Sequence, residues 1–95
     1  MNEKTDLYYK FLKLHEKMAK CCKKMGISLQ DDWNEKYGIE ITLRKPYTTE
    51  CKRKNDVMYF ENIEYAQCFI STSDLKKRSI FAIIRDFKGF LRMMF

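Results

Sequence analysis

The chain has 95 residues, 45% of them apolar and 15% aromatic, with a net charge of +6, four cysteines and a single histidine. That length holds one domain with one modest core, and three glycines and one proline leave no low-complexity or linker segment. No apolar run escapes charge for long enough to span a membrane, and the start at Met1 carries no basic-then-apolar leader, so the expectation is a cytoplasmic single domain over residues 1–95.

Leu7, Phe11, Leu14, Met18, Cys22 and Met25 recur at spacings of three and four, which predicts an amphipathic helix from Thr5 to Met25. Thr5 or Asp6 can cap its start and Gly26 its end. Ser28 with Asp31 three residues on resembles a capping box, and Gly38 follows as a stop, predicting a short second helix from Ser28 to Tyr37. On that helix Trp33 and Tyr37 would dock together on the core.

Next, "IEITLRK" alternates strictly, with Ile39, Ile41 and Leu43 on one side and Glu40, Thr42 and Arg44 on the other. This is the pattern of a half-buried strand, which Pro46 is expected to end. "YTTECKRKND" reads as a long hairpin loop. "VMYFE" and "YAQCFIS" read as two further strands joined by a turn near Asn62, with Ala66, Cys68 and Ile70 inward. From Thr72 the period is helical again, Ser71 and Asp74 forming a capping box and Ile80, Ile83, Ile84, Phe87, Leu91 and Met94 a stripe. The expected fold is α+β in the order α-α-β-β-β-α, a three-stranded antiparallel sheet packed against two long amphipathic helices.

Positive charge is concentrated at the two ends of the chain. Residues 1–26 hold seven lysines against three acids, and residues 75–95 hold six Lys or Arg against one. On a helical projection Lys10, Lys13, Lys17, Lys20 and Lys24 form one solvent-facing stripe. Lys77, Arg78, Arg85, Lys88 and Arg92 follow on the last helix, with Phe81 among them. Lys52, Arg53 and Lys54 add a third basic run. Like charges at these spacings repel by a few tenths of a kcal/mol each, so such stripes exceed what solubility requires. Cations neutralise phosphates and an aromatic ring offers a stacking plane, which together suit nucleic acid.

Other chemistry has weaker support. Asp31, Asp32 and Glu35 could hold a divalent cation for phosphodiester cleavage if Asp31 and Glu35 share a helical face. Acids at a helix start also answer the macrodipole without any catalytic role. Zinc lacks a C-x-x-C pair and a second histidine, and Cys21 and Cys22 point about 100° apart on a helix. No metal, cofactor or small-molecule substrate is therefore expected. Phe81, Met93 and Phe95 fall outside the apolar stripe, and the end of the last helix would suit a protein partner or a homodimer contact.

The order helix, three strands, helix resembles that of a double-stranded-RNA-binding domain. In "SDLKKRSIFAII", Lys76, Lys77 and Arg78 stand where that family places phosphate-contacting lysines, and the resemblance implies a duplex-RNA contact there. It is confined to element order and this cluster; the chain lacks the family's Gly-Pro-x-His-like loop and its Ala-rich last helix. Small, basic, motif-free chains are also similar in kind to inhibitors encoded by phages and other mobile elements, which bind a host defence (CRISPR-type) or transcription complex. The leading expectation is a non-enzymatic protein that contacts nucleic acid, or a nucleic-acid-handling complex, through basic helix faces. A protein-only inhibitor or adaptor comes second and a metal-dependent nuclease third.

Overall fold

The computed structural model describes the backbone of residues 3–95 and the side chains from residue 6 onward. Helix α1 (Glu3–Lys24) is followed by β1 (Ser28–Asn34), β2 (Gly38–Arg53), β3 (Asp56–Ser71), α2 (Thr72–Lys77) and α3 (Ile80–Met94). The strands form one antiparallel sheet in the order β1-β2-β3. It is an α+β fold, with the helices covering one face of the sheet.

Helix α1 buries the stripe its spacing predicts: Leu7, Phe11, Leu14, Met18 and Cys22 all lie in the core. It already runs from Glu3, so Asp6 lies within it and caps nothing; the Thr5 side chain lies outside those described. Gly26 ends it at φ 70, a left-handed conformation that costs glycine nothing. Ile27 N–H donates to Cys22 O at 2.9 Å and Gly26 N–H to Lys23 O at 3.3 Å, the paired bonds of a Schellman cap.

The expected second helix is a strand. Ser28–Asn34 pairs with β2 from Ser28↔Arg44 to Asn34↔Gly38, and Leu29, Asp31 and Trp33 alternate inward. Trp33 stacks on Phe11 at 5.5 Å between ring centroids, whereas Tyr37 is exposed in the turn. Asn34 Oδ1 closes that turn by accepting from Lys36 N–H at 2.9 Å and Tyr37 N–H at 3.0 Å. Asn34 thus terminates the strand with the local bonding that also makes asparagine a helix breaker.

Two further expectations are corrected in the long hairpin. Pro46 does not end β2, which continues to Arg53. The β1 pairing stops at Arg44, so beyond it β2 is an edge strand, where a missing N–H is tolerated. The turn placed near Asn62 does not exist: β3 is unbroken from Asp56 to Ser71, and Asn62 Nδ2 donates to Thr49 Oγ1 at 2.8 Å across the ladder. The reversal comes at Lys54-Asn55, with Lys54 at φ 54. Only the inner part of the hairpin is covered by helices. Ile39, Ile41, Leu43 and Ala66 are buried there, while Pro46–Glu61 is exposed throughout. The outer part projects as a two-stranded arm, which draws the molecule out to 66 × 21 × 17 Å. The radius of gyration is 17.2 Å, against about 12 Å for a compact chain of this length.

The last helical segment is two helices. Ser71 Oγ accepts from Asp74 N–H at 3.1 Å, as the capping box predicts, and Leu75 is buried. The chain then extends through Arg78 and Ser79, and Ser79 Oγ starts α3 by accepting from Ala82 N–H at 3.1 Å. Ile83, Ile84, Phe87 and Leu91 bury the expected stripe, although Met94 at its end is exposed. Helix α1 lies over β1, α2 over β2 and β3, and α3 packs against α1. No helix of the described residues is long and apolar enough to cross a membrane.

Candidate polyanion groove between α1 and α3

Once the apolar stripes of α1 and α3 are packed together, their basic flanks face each other. Lys17, Lys20 and Lys24 from α1 and Lys88 and Arg92 from α3 line an open groove of about 450 Å³, floored by Cys21, Met25, Ile84 and Leu91. A second hollow of about 570 Å³ shares Lys17, Ile84, Lys88 and Arg92 and adds Phe81 and Arg85. The two are parts of one trough. Among the described residues, neither part has an acidic residue in its lining.

The charge here is only partly neutralised. Lys20 meets Glu16 at 3.7 Å one turn back along α1, and Arg85 meets Asp86 at 3.7 Å. Among the described residues Lys17, Lys24, Lys88 and Arg92 have no acidic partner. Phe81 stands at one end of the trough with 77% of its surface exposed. Cations held around an apolar floor focus a positive field into the groove, and a planar aromatic at its end can take a base or another flat group.

The remaining basic residues lie elsewhere. Lys10 is half-buried, and its ammonium donates to Arg78 O at 2.6 Å and to Leu75 O, holding the end of α2 against α1. Lys13 is exposed but lines neither part of the trough. Lys52, Arg53 and Lys54 are at the arm tip, roughly 30 Å beyond Leu43 at ~3.3 Å per residue. Lys77 is exposed at the end of α2. Arg78 is engaged by Asp86, whose carboxyl it holds below its ordinary value through their hydrogen bond, and it also donates to Ala82 O. The cluster Lys76-Lys77-Arg78 therefore ends α2 and does not open α3.

The carboxylates considered for a metal do not converge. Asp31 and Asp32 project from opposite faces of β1, and Glu35 lies in the following turn. Asp31 turns inward, with its side chain 7% exposed, and accepts a 2.6 Å hydrogen bond from His15 Nδ1. Both residues are thus committed to joining α1 to β1. That pairing was not legible in the sequence, because it depends on β1 being a strand.

The four thiols are free and differ in environment. Burial pushes the Cys22 thiol up to about 11, helped by Cys21, Cys68 and Asp31, and burial alone does the same to Cys68. At pH 8 a thiol of pKa 11 is only about one part in a thousand thiolate, the reactive form. Exposed Cys51 on the arm should accordingly be alkylated first. Mass spectrometry of iodoacetamide-treated native protein should find Cys51 modified while Cys22 and Cys68 stay protected until the chain unfolds.

The geometry defines a two-layer α+β domain with a basic interhelical trough. Compared with known proteins, the chain matches no family model, no curated sequence and no solved structure.

Proposed function

We infer that this is a non-enzymatic binding protein whose α1–α3 trough takes the phosphate backbone of a nucleic acid, bare or carried by a nucleic-acid-handling complex. The observation that supports this most is the convergence of six cations, Lys17, Lys20, Lys24, Arg85, Lys88 and Arg92, on one groove with no carboxylate in its lining among the described residues. Residues so placed repel one another in the free protein, and a polyanion relieves that repulsion while its counterions are released. Phe81 at the trough's end gives a base a ring to stack on.

Fluorescence anisotropy with labelled single-stranded and duplex oligonucleotides tests the reading. Affinity should fall steeply with salt, with a log–log slope of roughly −4 to −5 if all six cations meet phosphates. Absent binding, or binding that ignores salt, would exclude the nucleic-acid role. The protein-only reading draws support from Met93, which is 75% exposed beside Arg92. Phe95 adds less to it than expected, since that ring is half-buried against the core. Capture of one stoichiometric protein that survives nuclease treatment would favour that reading.

A further inference from the structure

Strand β3 is the free edge of the sheet along its whole length. Natural edges are blunted with lysine, proline, bulges or a covering element. β3 has no Lys, Arg or Pro, its charges are Asp56, Glu61 and Glu64 alone, and it pairs with β2 without a bulge from Asp56 to Ser71. It also exposes apolar groups on both faces of the arm: Val57, Tyr59, Ile63 and Tyr65 on one, Met58 and Phe60 on the other. A two-stranded ribbon is marginal in water when it stands alone. These features call for a neighbouring strand.

We propose that the neighbour is β3 of a second copy, paired antiparallel so that the two sheets become one six-stranded sheet. Symmetry restricts the register. A two-fold axis perpendicular to the sheet preserves its faces, and directly opposed residues share a face whereas successive residues do not. The axis must therefore pass where a residue meets its own copy. Centring on Glu61 or Glu64 opposes identical carboxylates, and centring on Phe60 opposes Asp56 to Glu64. Among the centres that leave no acids opposed, Ile63 gives the longest overlap, with Asp56 reaching Ile70 of the other copy.

In that register Ile63 meets itself, Val57 meets Phe69 and Phe60 meets Ala66, all on matching faces. Met58 is brought opposite Cys68. There a groove of about 180 Å³ opens between β3 and α3, lined by apolar Cys68, Ile70, Ile83, Phe87 and Phe90 and also by Asp74 and the paired Arg78 and Asp86. Met58 is half exposed in the single chain, and a flexible thioether suits such a gap. The arm thus carries the knob and the body carries the hole, each copy supplying both. This contact is separate from the end of α3, where sequence alone placed a dimer, and it requires no nucleic acid.

Sedimentation velocity on the full chain, without nucleic acid, should show a dimer in the micromolar range. Ile63→Lys and Ile63→Glu each set like charges against themselves at the axis, so each variant alone should sediment as a folded monomer, checked by circular dichroism. Mixed in equal amounts, the two should recover a heterodimer. A wild-type monomer across that range, a dimer unaffected by either substitution, or a mixture that fails to pair would each overturn the proposal.

Discussion

Gly38→Ala is expected to destabilise the domain by about 3 kcal/mol or more, enough to take a small protein close to its unfolding threshold. Gly38 has φ 130, and a Cβ there would stand 2.0 Å from Ile70 O and 2.9 Å from Ser71 Cα. Those are backbone atoms of a paired strand, so no rotamer change relieves the overlap. The site is also a junction: Gly38 pairs with Asn34 on one side and Ser71 on the other, and Thr72 N–H donates to Tyr37 O at 3.0 Å beside it. Displacing it disturbs β1, β3 and the start of α2 together. Gly89→Ala is the matched control. Apart from its chain neighbours and the adjacent backbone of α3 itself, no atom lies within 4 Å of a Cβ built there, so inside α3 the change should stabilise by about 0.5–1 kcal/mol. Urea denaturation of both variants measures the contrast, and a mild effect at Gly38 would contradict the described turn.

The second large effect concerns the trough. Lys17→Glu combined with Lys88→Glu reverses one cation on each helix at positions common to both parts of the groove. Oligonucleotide affinity should fall by about 100-fold at low salt, roughly tenfold per site, and the salt slope should become shallower. Lys13→Glu and Lys52→Glu change the net charge by the same amount outside the trough and should weaken binding by less than about threefold, the screened long-range component alone. Equal losses in all four single variants would mean diffuse attraction to a basic protein and no defined groove. Lys10 should behave differently from the rest of its stripe. Its ammonium is bonded to two carbonyls, so Lys10→Met should cost about 1–2 kcal/mol of stability with little change in binding by the folded fraction.

What the sequence displayed, and what it concealed, follows from how far each signal reaches. Helix α1 announces itself because a strong period persists over many residues, and the strand segment from Ile39 to Leu43 because each of its inward positions is aliphatic and buried. β1 was masked by Ser28, Asp31 and Gly38, whose spacing imitates a helix start and stop. The alternation of Leu29, Asp31 and Trp33 was present but short, and a carboxylate at an inward position hid it. That carboxylate is tolerated because His15, from a separate element, supplies its hydrogen bond. Pro46 and Asn62 are turn formers by composition, yet one sits where β2 has become an edge and the other bonds across the ladder to Thr49. Both depend on where neighbouring strands stop. The two basic stripes could each be drawn on a helical wheel. Their meeting could not, since it requires knowing that α3 packs on α1.

The bond network of Lys10 also bears on the order in which the molecule can be completed. It joins α1 to carbonyls 65 and 68 residues later in the chain. Helix α1 is made before its partners and can adopt its local winding early, but its seat is finished only when Leu75 and Arg78 have been made. During synthesis the apolar face of α1 must wait, exposed or loosely held by β1, for α2 and α3 to arrive. A nascent chain halted before Thr72 would present that face to chaperones and proteases, so α1 is secured by residues added long after it.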